Sequence, residues 1–140
     1  MVAALMGMGS NIHPEEHLSS AAAELREHYP QVSFSAVYCS KAVGMEGDDF
    51  LNACCLIQDV TDRVALVNWC KALEDRHGRD RSEGSWKPRT LDLDLLMFGE
   101  EVVDDDLFRY PHVYVPASEL VDLELPDPEY GVALKVGLSL

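Results

Sequence analysis

The sequence predicts an α+β sandwich, and three observations carry the prediction. Two stretches place apolar residues at helical spacing, from Leu18 to Tyr29 and from Leu66 to His77. Four stretches read as strands, either by alternation or as a continuous apolar run. Their order is β-α-β-β-α-β, so each helix has one stripe to bury and a sheet to bury it on. That order fits a ferredoxin-like fold: an antiparallel or mixed sheet, helices packed on it, and an irregular C-terminal extension.

Val2 to Met8 is a short apolar run closed by Gly7, Gly9, Ser10 and Asn11, which reads as a buried strand followed by a tight turn. Pro14 suits a first helical position, and Glu15 and Glu16 suit the positive end of the helix dipole. Leu18, Ala21, Ala22, Leu25 and Tyr29 share one face, and Pro30 ends the helix. Val32, Phe34, Ala36 and Tyr38 alternate with Ser33, Ser35, Val37 and Cys39, giving a half-buried second strand. Lys41 to Asp49 reads as an exposed loop. Phe50 to Val60 is nearly all apolar and reads as a central strand covered on both faces, with Asn52 as its polar exception.

Thr61 is the expected cap of the second helix. The apolar face of that helix is Leu66, Trp69, Cys70, Leu73 and His77, and Gly78 is its expected stop. Gly84 and Pro88 keep Arg79 to Thr90 from continuing the helix, leaving a loop of about a dozen residues, a length that usually has a function. Leu91 to Phe98 reads as the fourth strand, and Gly99 to Val103 as a small hairpin. Pro111, Pro116, Pro126 and Pro128 then predict mostly irregular chain, with a short helix around Ala117 to Leu120.

With 140 residues and 47% hydrophobic content, one globular domain over residues 1–140 is expected. The net charge of -14 disfavours nucleic acid and anionic membrane as partners. Cys39, Cys54, Cys55 and Cys70 form no C-x-x-C pair and no Cys/His pattern of zinc type, and Cys54 and Cys55, adjacent in an apolar run, read as reduced core residues. The first residues lack a basic segment, and their apolar run is too short for a signal peptide or membrane span. The expected location is the cytoplasm.

Against this acidic background the cations are gathered: five of eleven Lys and Arg lie between Arg76 and Arg89. Asp92 and Asp94 follow directly. Side chains two apart on a strand share a face. Two carboxylates on one face beside a cluster of arginines suit a polyphosphate with divalent metal.

These residues resemble a family. Gly9-Ser10-Asn11, Val43-Gly44, Phe50-Leu51-Asn52-Ala53, Leu73-Glu74, Gly78-Arg79-x-Arg81, Trp86-x-Pro88-Arg89-Thr90-Leu91-Asp92-Leu93-Asp94 and Pro111-His112 occur in the order found in the 6-hydroxymethyl-7,8-dihydropterin pyrophosphokinases. The resemblance implies a reaction in which the pterin's hydroxymethyl oxygen attacks the β-phosphorus of MgATP. Diphosphate is transferred and AMP leaves. The implied cofactor is Mg2+, two ions with the ATP. The implied partners are MgATP and a pterin, for a chain that is a monomer or weak homodimer.

By the same resemblance, Asp92 and Asp94 are metal ligands, and Arg79, Arg81 and Arg89 are catalytic arginines of a loop and its flank, Arg89 also binding ATP. Trp86 matches a loop tryptophan that closes over the ATP; it reads equally as the loop's apolar anchor. Glu74 and His112 match residues near the ATP, although Glu74 reads equally as a carboxylate on an exposed helix end. Ser40, Val43, Phe50 and Asn52 match the pterin pocket, with Phe50 stacking on the ring and Asn52 bonding its edge.

The pattern breaks in three places. Ser85 replaces an arginine before the loop tryptophan. Ser40-Lys41-Ala42 replaces a Thr-Pro element. The segment after Pro111-His112 that carries an arginine and a second stacking aromatic is absent, leaving Tyr114 as the nearest candidate for that ring. An impaired paralogue that binds nucleotide or pterin as a regulatory module is therefore the alternative to an active transferase.

Overall fold

The structure, a computed structural model, describes residues 2–40, 50–78, 90–122 and 134–140. Its core is a sheet built from β1 (Val2–Ser10), β2 (Val32–Phe34), β3 (Tyr38–Ser40), β4 (Phe50–Val60), β5 (Asp92–Phe98), β6 (Glu101–Val102) and β7 (Leu134–Lys135). Among the described residues three helices accompany it: α1 (Pro14–His28), α2 (Arg63–Arg76) and α3 (Pro111–Ser118), with a 3-10 turn at Asp105–Phe108. The sheet order is β6-β5-β1-β4-β3-β7, with β2 also paired to β4, and all pairings are antiparallel. Taken as four main strands this is the order four-one-three-two of the predicted βαββαβ sandwich. The family of folds is α+β.

The two faces of the sheet are covered differently. On one face Ala4, Met6 and Met8 of β1 and Ala53, Cys55 and Ile57 of β4 meet Leu18, Ala21 and Leu25 of α1 and Leu66, Cys70 and Leu73 of α2. The predicted stripes of both helices are the ones buried. His28 stacks on Trp69 at 4.5 Å and Tyr29 meets the same ring edge-on, locking the end of α1 to α2. The opposite face carries a smaller cluster of Leu5, Cys54, Leu96, Leu107 and Ala117, covered by the 3-10 turn and α3. Cys54 and Cys55 thus bury on opposite faces of one strand, and all four cysteines are free.

Four local expectations are corrected. β1 does not end at Met8 but runs on to Ser10, because Gly7 and Gly9 are paired on both sides, to β4 and to β5. Ladder pairing on both edges outweighs the low strand propensity of glycine. The second strand divides at Ser35, whose Oγ accepts the Cys54 N–H at 2.8 Å and so takes a ladder partner for itself. Asp62, not Thr61, caps α2 by accepting from the Ala65 N–H. The short helix expected near Ala117 starts earlier, at Pro111, whose missing N–H costs nothing in a first turn.

Candidate functional site

The site lies on the less covered face. There β5, β1 and β4 place Asp92, Gly9 and Asn52 in one row, and Asp94, Gly7 and Cys54 in the next. The two glycines leave the middle strand without side chains between the aspartates and Asn52. A methyl group at Gly9 would lie 3.3 Å from Asn52 Oδ1, and one at Gly7 would lie 3.4 Å from Leu96 Cδ1. The glycines are therefore a floor, not a turn. The pocket above them has a volume of about 440 Å³ and is walled by Ser40, Phe50 and Asn52 on one side of the strip and Asp92 and Asp94 on the other. Asp104, Asp106, Tyr110, His112 and Val113 join the lining from the 3-10 turn and α3. The volume is ordinary for a small-molecule site.

The lining has two chemical halves. In the first, Asn52 is buried and donates through Nδ2 to Ser40 Oγ at 2.7 Å, which sets the amide's orientation. Phe50 begins β4 opposite Ser40 in the ladder and is half-buried. An oriented amide beside a flat aromatic suits a flat heterocycle with donors and acceptors on its edge.

The second half is anionic. Asp92 and Asp94 share a face as their spacing predicts, and Asp104 and Asp106 add two more carboxylates. Asp94 is exposed at the pocket, yet the protein around it still reduces its hydration. That loss, then the charges of Asp92, Glu74 and Asp104, pushes its pKa up to about 7. Clustered carboxylates repel unless a cation lies among them, and hard oxygen donors of this kind suit Mg2+. His112 stands in the first turn of α3 with its ring stacked against Tyr110 at 5.4 Å. Burial holds its pKa below the usual histidine value, with Asp106 acting in the opposite direction.

Of the residues singled out in the sequence, Ser40, Phe50, Asn52, Asp92, Asp94 and His112 meet around this one pocket. Arg79, Arg81, Trp86, Arg89 and Val43 lie outside the described residues. For Glu74 the structure rules out one of its two readings, the carboxylate on an exposed helix end. It is 4% exposed, and its Oε2 accepts the Leu93 N–H at 2.9 Å. Leu93 separates the two aspartates, so this carboxylate ties α2 to the backbone that aims them. Tyr114 is likewise buried, at 4% exposed, and is absent from the lining; of the two tyrosines it is Tyr110, 41% exposed, that reaches the pocket.

Sequence reasoning passed over Asp104, Asp106 and Tyr110. The run Asp104-Asp105-Asp106 was a visible signal, but in a stretch read as irregular its direction could not be assigned. Asp104 caps the 3-10 turn by accepting the Asp106 N–H at 3.0 Å, and the turn in turn faces the pocket.

Comparison with known proteins gives one consistent result. Residues 5–131 match the family described as 7,8-dihydro-6-hydroxymethylpterin-pyrophosphokinase. The chain is 34% identical to a 2-amino-4-hydroxy-6-hydroxymethyldihydropteridine pyrophosphokinase of Pseudomonas putida, over 83% of this chain and 98% of that protein. It is 31% identical to the protein of the same name from Haemophilus influenzae, over 92% of this chain and 88% of that one. For the Synechocystis protein of that name the identity is 32%, over 91% and 70%. With a sandwich of the expected strand order and an aspartate pair facing an asparagine across a glycine floor, the chain belongs to the 7,8-dihydro-6-hydroxymethylpterin pyrophosphokinase family.

Proposed function

We propose that this chain transfers the β,γ-diphosphate of ATP to the hydroxymethyl group of 6-hydroxymethyl-7,8-dihydropterin, releasing AMP. The observation that carries the reading is the division of one pocket by the Gly7–Gly9 strip. A phosphate chain with its metal belongs on the aspartate side, and the heterocycle belongs beside Phe50 and Asn52. The strip lets the two substrates approach each other over bare backbone. Holding both reactants at attack distance is the main service an enzyme gives such a transfer.

Asp92 and Asp94 are the residues suited to hold Mg2+, and we assign two ions to them. When bound, the metal neutralises phosphate charge and helps orient the reacting phosphorus. The Asn52 amide, oriented by Ser40, fixes the ring's edge, and Phe50 stacks on one of its faces. Tyr110 takes the second face in this reading, in place of the aromatic missing from the shortened segment. Arg79, Arg81 and Arg89 supply the guanidinium forks for the phosphates, Trp86 covers them, and Val43 lines the pterin side. Glu74 acts on the ATP side through the Leu93 backbone, and His112 faces the phosphate chain. We further read residues 1–140 as one domain, working in the cytoplasm as a monomer or weak homodimer. In support, no helix among the described residues is long and apolar enough to cross a membrane. The exposed large apolar residues Val2, Val64, Val102, Val103 and Tyr110 are spread over several elements.

The test is AMP formation from MgATP and hydroxymethyl-dihydropterin. Turnover that disappears in Asp92→Ala supports the proposal. No AMP at high protein concentration, with ATP binding retained, overturns it in favour of the impaired regulatory paralogue.

A further inference from the structure

A second polar cluster lies away from the pocket, where α1 meets the end of α2. His17 Nδ1 and His77 Nδ1 are 2.7 Å apart, with the rings edge to face at 5.0 Å. On its other side His77 Nε2 is 3.3 Å from Glu24 Oε2, and Glu24 Oε1 accepts from Arg76 at 3.2 Å. The His77 side chain is 9% exposed. These contacts determine where the protons are. The Glu24 carboxylate only accepts, so His77 Nε2 carries a hydrogen. A neutral His77 then has a bare Nδ1, and His17 Nδ1 must be the donor to it. Two charged rings could not make the contact at all, and burial together with His77 holds the His17 pKa below its usual value.

We propose that His17 and His77 form a binding site for a borderline divalent transition metal such as Zn2+, independent of the Asp92/Asp94 site. Three features carry the inference. Imidazole is a preferred ligand for these ions and a poor one for Mg2+. Two nitrogens bound to one tetrahedral zinc at about 2.0–2.1 Å lie roughly 3.3 Å apart, so the pair needs to open by about half an ångström and the two rings to turn until both lone pairs face the ion. The Glu24–His77 contact is the arrangement in which a metal-bound histidine gives its remaining N–H to a carboxylate, fixing tautomer and ring orientation. On binding, His17 changes tautomer through solvent, Nδ1 giving up its proton and Nε2 taking one, so both rings stay neutral and no net proton is released. His13 precedes α1 as its N-cap, with its carbonyl accepting the His17 N–H at 3.1 Å.

The experiment titrates the full chain with Zn2+ in saturating Mg2+, in a Cys39→Ser background that removes the least buried thiol. Expected is one Zn2+ per chain, binding lost in His17→Ala and in His77→Ala, weakened about tenfold in Glu24→Gln, and unchanged in Asp92→Ala. Equal binding by wild type and both histidine variants overturns the proposal, as does binding lost only in Asp92→Ala. Because either variant could fail to fold, long-range 15N spectra of the unaltered protein give a second readout. Zn2+ should shift His17 and His77 Nδ1 and leave His28 in place; unmoved Nδ1 resonances overturn the proposal. The readout is independent of diphosphate transfer, so it stands or fails apart from the proposed activity.

Discussion

The two faces of the sheet are made by the same strands and have opposite tasks. On the face toward α1 and α2, alternate residues of β1 are Ala4, Met6 and Met8, all buried and closely matched to two helix stripes. On the other, the alternate residues are Leu5, Gly7 and Gly9. Leu5 continues a core beneath α3, but from Gly7 onward β1 itself adds no side chain to this face, and on β5 the apolar Leu96 gives way to Asp94 and Asp92. One face is filled for stability; the other is emptied at one end to make room for substrates. A period of two lets a single strand do both, because neighbouring residues never compete for the same side.

The comparison can be broken by mutation. The largest effect is expected at the aspartates: Asp92→Ala or Asp94→Ala should lower AMP formation by about a hundred- to a thousandfold, measured as kcat with saturating MgATP. With Mg2+ present, thermal unfolding of these variants should be little changed, which separates them from any variant of the closed face. Leu18→Ala, on the wholly buried stripe of α1, should do the reverse. It should cost about 3 kcal/mol in denaturant unfolding while the folded fraction keeps its kcat. Equal loss of activity and stability at both positions would show that the two faces are not separable.

Glu74→Gln tests the link between the faces, since its carboxylate reaches from α2 to the Leu93 backbone between the aspartates. Weakening that charge-assisted bond should cost about 1–3 kcal/mol and lower kcat as well, a joint loss that neither of the preceding variants shows. Gly9→Ala should cost little stability and raise the KM for the pterin by about tenfold, roughly 1.4 kcal/mol, because the added methyl meets Asn52 Oδ1. An unchanged KM would remove the glycine floor from the argument.

The smallest effect is in pH. The folded-state pKa of Asp94 is raised from 3.8 to about 7. A group raised on folding favours the folded state while protonated, so its contribution is full below about pH 4 and is lost as pH rises toward 7. Without divalent metal, Asp94→Asn should therefore gain stability relative to wild type at pH 8 and lose that advantage at pH 4. Added Mg2+ should narrow the difference at pH 8, as read by Tm.

Much of the closed face was legible, because helical and strand periods report burial directly. Leu18, Ala21, Leu25, Leu66, Cys70 and Leu73 could be placed from spacing alone, as could the central position of Phe50 to Val60 and the shared face of Asp92 and Asp94. The open face was legible only in part. Gly7 and Gly9 look locally like a turn, and their strand character comes from partners more than forty residues away in β4 and over eighty away in β5. Glu74 looks like a surface acid until β5 is laid against α2 and presents an N–H to it.

What the sequence determined by itself is therefore what depends on near neighbours: the order of elements, the stripes they bury, the pairing of two aspartates on one strand face, and the motif that marks the family. Tertiary structure alone decided which of two tyrosines reaches the pocket, that Asp104 and Asp106 join it, that Glu74 turns inward, and that His17 meets His77 across two helices. Each of these is a contact between elements. Its direction is set by how α2, α3 and the 3-10 turn pack on the sheet, and local spacing carries no record of that packing.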